Sequence, residues 1–570
     1  MIKNLISLLT KKDQLSFLIL IIVFSLFSVL DIIGLYLLSQ GISGIFNPIY
    51  IDIFLDNLKK IEFLQKISFK EFYLLIFFFF LAKNILFYLF YYFQSIFITK
   101  VSTNIASNLY KYSLQSTYLK FLSLDIAETS KNLTADISRS VQLISCLNTI
   151  VKESFLLLLI FLVIFLINQN FFISLLILVL VLVIIFRFLY SKKLKIYGAH
   201  YQTYSHRQVK RILDSFNLFI EIKLYNLVNF FFNRFKNETF NKEFNEQKLN
   251  FIVSVPRLII EVFVVTLLYL FIVFYKIENI NDYIPLFSLL IILSLRSIPS
   301  IISLNRAYFD LNFFSSSLNS LILKFKKINF QNKTEIFNRK SDYKGFNFKR
   351  DIIFKNISYG YKKNNDILKK INFKIEKNDI VGIVGNSGSG KTTLLLLLFG
   401  FIKPNSGKIV IDGLNLDKIV NNWRNCISYA PQDTILIGES LIQNITFRDE
   451  ISKSDEIRLK SSLSISNSKN FLNSKYKSTI IEEKGLNFSG GQRKRLGLAR
   501  ALFLKKDIYI FDEPTSFLDN NTINKVFNNL KNFFLNKTVI IISHNEDCLK
   551  FCNKIYYLRN KKIFLKKNNL

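Results

Sequence analysis

The chain has few of the residues that build metal and redox sites. Its 570 residues include three histidines and four cysteines. Cys146, Cys426, Cys548 and Cys552 have no metal-ligand spacing. Cys548 and Cys552 lie four apart, on an expected helix, and cytoplasmic thiols are expected to stay reduced, without disulfides. Acids are also scarce: 41 Asp and Glu face 75 Lys and Arg, a formal net charge of +34. A nucleic-acid binder would gather such cations on a reading element. Here they are spread over loops with many Asn and Ile, as A/T-rich coding also produces, so no nucleic-acid partner is expected. No internal repeat of about 20–50 residues is evident, which argues against a solenoid.

Long apolar runs are plentiful. Half of the chain is hydrophobic and the mean hydropathy is +0.29. The runs are concentrated in the first 305 positions, and several reach the roughly 20 residues that cross a bilayer. Six spans are expected, at about 15–38, 72–98, 152–167, 171–190, 252–275 and 284–304. Asn168, Gln169 and Asn170 form an expected polar hairpin between the third and fourth. The first run is too long for a cleaved signal and has no small-residue cleavage site, so it is expected to be retained.

Charge sets the expected orientation. Residues 191–250 carry eleven Lys and Arg against five acids, whereas 39–71 carry four of each sign. The positive-inside rule places 191–250, both termini and the C-terminal half in the cytoplasm. The polar stretches 99–151 and 191–251 keep apolar residues at helical spacing, so the spanning helices are expected to run on into the cytoplasm and turn there.

The chain divides into an all-α six-helix membrane domain over 1–305, a charged helical linker over 306–348, and an α/β domain over 349–570. In the last, short β-type runs such as IVGIVG, IYIFDE and TVIIIS alternate with helical stretches, which predicts a largely parallel sheet.

Its strongest motif is IVGIVGNSGSGKTTLLLLLFG, 380–400. A buried strand enters Gly385, Asn386, Ser387, Gly388, Ser389, Gly390, Lys391, Thr392 and Thr393, and an apolar helix follows. This is a P-loop in its required context: glycines turn backbone N–H groups onto phosphate, and the helix N-terminus favours negative charge. Lys391 reaches the β/γ-phosphates, and the Thr392 hydroxyl suits Mg²⁺. In IYIFDEPTS, Asp512 closes a second apolar strand and suits the Mg²⁺ shell. Glu513 is placed as general base for the attacking water. His544, just beyond the strand TVIII, is expected at the γ-phosphate.

One further stretch has no chemistry of its own. NFSGGQRKRLGLARA, 487–501, has no carboxylate, cysteine or histidine. SGGQ about 20 residues before such an Asp-Glu strand resembles the signature of ABC-transporter ATPases. The resemblance covers 349–570 and includes Gln432 in SYAPQDTIL, Tyr361 in NISYGY, Asp519 in SFLD and His544. The preceding six-helix half resembles the exporter-type membrane domain of that superfamily. Phe488 stands where the family usually has Leu, and Phe517 where it usually has Ala.

The resemblance implies that Ser489, Gly490, Gly491 and Gln492 close over the ATP held by a second domain's P-loop. Tyr361 would then stack on adenine, Gln432 would sense Mg²⁺ and the membrane domain, and Glu483 would touch the partner's cytoplasmic helices. One P-loop and one signature per chain imply a dimer: a homodimer is expected, with a heterodimer as the alternative. Couplers are expected near 116–124 and 213–225. The implied activity is ATP hydrolysis, with ATP and Mg²⁺, driving export or flipping across a bacterial inner membrane. VPRLIIEVF, LRSIPSI and EIKLYN are similar to short runs in bacterial lipid-linked oligosaccharide flippases. That likeness implies a lipid, glycolipid or lipid-linked oligosaccharide substrate; a multidrug or peptide exporter is the alternative. The lack of a peptidase domain before the first span speaks against a leader-cleaving exporter. Charges in the spans are Asp31, Lys83, Glu261 and Arg296, with Arg187 and Arg257 nearer the ends. Lys83 and Arg296 are the candidates for an anionic headgroup, and mutual pairing is the simpler alternative.

Overall fold

The computed structural model describes residues 5–6, 9–46, 69–167, 169–274, 284–332, 346–362, 365–472, 481, 485, 487–544 and 546–565. The chain forms two compact units, Met1–Ser116 with Ser123–Thr334, and Thr117–Leu122 with Glu335–Leu570.

The first unit is built from long helices: Lys11–Phe46, Phe69–Gln115, Ile137–Ile167, Gln169–Asn217, Val228–Phe274 and Ile284–Phe313. Among the described residues, three stretches are long and apolar enough to cross a membrane: Lys11–Ile45, Lys70–Gln115 and Ile126–Leu166. The other expected spans fall in the remaining helices, where many side chains, Arg187, Arg257 and Glu261 included, lie outside the described residues. The helices overrun the expected spans because their polar extensions keep the helical period. The first two turns come where the sequence placed them, at Tyr118–Leu122 and Phe219–Leu224. A π-helical turn, Asn132–Asp136, joins the short helix Ile126–Lys131 to the start of the third long helix. Its core packs Phe24, Phe27, Val101, Ile105, Val141 and Ile144.

The second unit contains two sheets. β1 (Asp351–Tyr359), β2 (Leu368–Glu376), β4 (Ser406–Ile411) and β5 (Leu414–Asn415) form an antiparallel sheet in the order β2-β1-β4-β5. β1 and β4 fall on β-type runs of the sequence, whereas β2 and the antiparallel pairing were not anticipated. In β2, buried Leu368, Ile371, Phe373 and Ile375 are separated by exposed residues, as on a sheet with one face covered. The six-stranded sheet joins β3 (Ile380–Val384), β6 (Ile427–Ala430), β7 (Ile508–Asp512), β8 (Thr538–Ile542), β9 (Lys554–Arg559) and β10 (Lys562–Leu565) in the order β10-β9-β3-β8-β7-β6. It is parallel except for the β9–β10 hairpin. β7 and β8 are buried along their whole length, which explains their continuous apolar runs.

Helix Lys391–Leu398 is buried against both sheets, and Trp423 seals its end by donating from Nε1 to Leu398 O at 2.7 Å. Residues 117–122 count with this unit, where Tyr118 stacks on Phe401 at 5.7 Å. Cys548 lies within the short helix Glu546–Leu549, and Cys552 lies beyond it; the helix is shorter than the spacing suggested.

Candidate nucleotide site

β3, β7 and β8 run side by side, so the turns that follow them emerge together. The turn after β3 is the P-loop. Gly388 and Gly390 have φ of +77° and +104°, a conformation that residues with a Cβ resist. Gly390 caps helix Lys391–Leu398 without a side chain. The N–H groups of Lys391, Thr392 and Thr393 therefore open the helix with no acceptor inside it. The Thr392 side chain is exposed and that of Thr393 is buried, so Thr393 offers its backbone N–H rather than its hydroxyl. Lys391 Nζ donates to Gly385 O at 2.6 Å and Asn386 O at 3.0 Å, which holds the ammonium against the loop it serves. Asn386, Ser387 and Gly388 are exposed at the loop tip, and Ser389 N donates back to Asn386 O. Tyr361 is half exposed and braced edge-on by buried Tyr359 at 5.2 Å, which leaves a ring face for a base.

The end of β7 brings the acid–base groups together. Gln432 Nε2 donates to Glu513 Oε2 at 3.2 Å, and His544 Nδ1 lies 3.5 Å from Glu513 Oε1. The Glu513 backbone is left-handed, φ +45°. Three hydrogen bonds fix it: its N–H donates to Ile542 O, and its carbonyl accepts from Ser516 N and Oγ. Such strain persists where neighbours over-determine it. Asp512 is buried and accepts from the Tyr429 hydroxyl at 3.3 Å. Burial raises its carboxyl above the usual carboxylate range, against the hydrogen bond from Tyr429 and the charge of Lys494.

These residues fit a nucleotide and Mg²⁺. Among the described residues no cluster of three His, Cys, Asp or Glu could cage a metal. A site with one hydroxyl, one carboxylate and one amide suits Mg²⁺, which takes much of its shell from phosphate and water.

The signature stretch is a helix start. Ser489 caps Gly490–Phe503: its Oγ accepts from Gln492 N, and the Gln492 side chain accepts from Ser489 N at 2.8 Å. This capping box explains Ser and Gln at that spacing, and Ser489 stays exposed with its hydroxyl hydrogen free to point outward. Phe488 is buried against Phe471 and anchors the turn. A Cβ on Gly491 would come within 2.6 Å of Phe517 O, so no other residue fits there. Phe517 itself is 71% exposed with φ +63°. A bulky residue in that conformation costs about 1–2 kcal/mol. Phe517→Gly is therefore expected to raise the thermal midpoint, and an unchanged or lower midpoint would mean that the ring contributes packing that outweighs the strain. Asp519 caps helix Asn520–Phe533 by accepting from Thr522 N at 2.9 Å, and the Thr522 hydrogen bonds hold its carboxyl below the usual range. Glu483 lies outside the described residues.

Two partners were missed from the sequence, Tyr429 and Lys494. Lys494 donates to the carbonyls of Pro431, Gln432 and Asp512. Burial pushes its ammonium down to about 8, opposed by Asp512, Glu513 and Asp433. A signal was present: Lys494 lies on the buried stripe with Gly497, Leu498 and Ala501.

The ABC transporter family model matches residues 368–516, which span the P-loop, the signature and the Asp-Glu strand. Residues 368–516 are an ABC transporter domain. The alpha-hemolysin translocation ATP-binding protein HlyB of Escherichia coli O157:H7 is 40% identical over 213 residues, 37% of this chain and 30% of that protein. The leukotoxin translocation ATP-binding protein LktB of Mannheimia haemolytica is 36% identical over 219 residues, 38% of this chain and 31% of that one. The chain thus aligns with about a third of the length of these relatives. A bacterial Atm1-family ABC exporter with ATP bound shares the fold, with a TM-score of 0.73, 17% identity, and coverage of 98% of this chain and 94% of that one. The chain therefore shares that fold, a helical half followed on the same polypeptide by the ABC transporter domain.

In the helical half, the two substrate candidates meet one carboxylate. Asp31 Oδ1 lies 2.8 Å from Lys83 Nζ, and Asp31 Oδ2 lies 2.8 Å from Arg296 Nη2. Arg296 also donates to Ser300 Oγ at 3.0 Å, and Lys83 lies over the Phe80 ring at 4.4 Å. Mutual pairing is thus the arrangement found. Three charges sum to a single net positive one.

Proposed function

We propose that this chain is an ATP-driven exporter or flippase half, working as a homodimer in a bacterial inner membrane with both termini and the ATPase domain in the cytoplasm. A membrane domain over 1–305, a linker over 306–348 and a nucleotide domain over 349–570 divide the work. The observation that carries the reading is the meeting of Gln432, Glu513 and His544 beside a P-loop, with one signature on the same chain. Glu513 takes the proton of the attacking water, while Gln432 and His544 hold its carboxylate in place. Lys391, the P-loop N–H groups and Thr392 bind the triphosphate, and Tyr361 stacks on the base. Thr392, Gln432 and Asp512 would hold Mg²⁺, which would supply charge neutralisation at the phosphates. Ser489, Gly490, Gly491 and Gln492 serve the nucleotide of the partner, with Asp519 at the seam between the copies. The short helices Tyr118–Leu122 and Phe219–Leu224 pass the motion to the membrane helices.

The net positive Asp31–Lys83–Arg296 group favours an anionic amphiphile, a lipid, glycolipid or lipid-linked oligosaccharide, as cargo. The toxin-translocating relatives make a polypeptide the alternative. Native mass spectra of the detergent-released chain test both points. A mass near twice 66.8 kDa with a lipid adduct is expected. A monomer that hydrolyses no ATP would point to a different partner chain, and a dimer whose ATPase responds to peptides but not lipids would reverse the cargo assignment.

A further inference from the structure

We propose that Lys494 is a positioning residue that ties the signature helix to the nucleotide site of its own domain. The inference rests on the ATPase reading above and adds a link inside each copy, between the end that meets the partner's nucleotide and the end that holds its own.

The geometry is specific. Lys494 is 2% exposed, yet its Nζ has three acceptors, Pro431 O at 2.9 Å, Gln432 O at 3.0 Å and Asp512 O at 2.8 Å. An ammonium has three N–H donors and no acceptor, so it is saturated here. The three carbonyls belong to two separate segments. Pro431 and Gln432 lie just after β6, and Gln432 reaches Glu513 through its side chain. Asp512 closes β7 and directly precedes Glu513. One side chain on a third segment, the signature helix, therefore holds the backbone beneath both groups that face the attacking water. The flanking arginines point elsewhere: Arg493 donates to Phe488 O and Gly485 O, and Arg495 to Asn467 O.

Ser489 caps the same helix five residues earlier, roughly 7.5 Å along the axis. A helix moves as a stiff rod, so a displacement imposed at Ser489 reaches Lys494, and through it the carbonyls of Gln432 and Asp512. A shorter or uncharged side chain at 494 leaves the P-loop and Tyr361 untouched but strands buried carbonyls and releases the two segments. An arginine cannot substitute, because its planar fork does not match three acceptors grouped around one nitrogen.

The test compares full-length wild type and Lys494→Gln in detergent. Binding of a fluorescent ATP analogue is measured without Mg²⁺, and kcat, KM and the Hill coefficient are measured with it. The expected result is analogue affinity within about twofold of wild type, kcat lowered by about tenfold or more, and loss of cooperativity in ATP. A variant that melts early or loses analogue binding makes Lys494 a purely structural residue and overturns the proposal. So does a variant with wild-type kcat and Hill coefficient, while the ATPase reading stands. A wild-type dimer that binds the analogue but hydrolyses nothing removes that reading and this inference together.

Discussion

Glu513→Gln is expected to lower steady-state ATP hydrolysis by about 10²–10⁴-fold, the usual contribution of a positioned general base. The change is isosteric: one oxygen remains to accept from Gln432, and an amide NH2 replaces the oxygen that faces His544. It removes the proton acceptor and its charge without changing the side-chain volume. ATP binding should survive, since Lys391, the loop glycines and Tyr361 are unchanged. Nucleotide should then be trapped in a persistent dimer, visible as a doubled mass that outlasts dilution. Transport should stop with hydrolysis. A variant that turns over at the wild-type rate would take Glu513 out of the chemistry.

Asp31→Ala is the second large effect, and it acts on stability. The substitution leaves the Lys83 and Arg296 charges facing each other without their shared carboxylate. Removing one partner of a buried ion pair costs about 3–5 kcal/mol, because the remaining charge stays desolvated. A clear drop in the thermal midpoint of the detergent-solubilised protein is expected. The companion experiment replaces all three residues, Asp31→Leu with Lys83→Met and Arg296→Met. Apolar groups of similar volume are often neutral or better at such sites, so this triple variant should recover most of the lost midpoint. If anionic amphiphiles are the cargo, its ATPase should no longer respond to them. An Asp31→Ala chain that melts with the wild type would show that the two cations find water or other partners instead.

The elements legible in the sequence are those whose meaning is local. The P-loop, the Asp-Glu strand end and the signature each occupy one short stretch, and each comes with its own strand or helix start. The capping box of Ser489 and Gln492 is an instance, since four residues of sequence specify both the turn and the exposed hydroxyl. The turns at Tyr118–Leu122 and Phe219–Leu224 were legible too, each lying within one expected short stretch. Contacts between distant stretches were not. Asp31 meets residues 52 and 265 positions away, and nothing in its own run says which cation it will face. Lys494 reads as one of a run of cations until the helix face shows that it points inward, between two arginines that do not. The antiparallel pairing was missed because β1 and β4 read as strands without saying which partners they take, and in half-exposed β2 the alternation is diluted by Lys and Asn.

The two outermost strands of the six-stranded sheet, β6 and β10, are four residues each. An unpaired strand edge invites another chain to extend it, and short edges are one way proteins refuse the invitation. Copies of this domain are thereby steered away from ladder-like growth. In the proposed homodimer, contact is left to side-chain surfaces such as the signature helix start, where a match is satisfied once and does not propagate into a fibre.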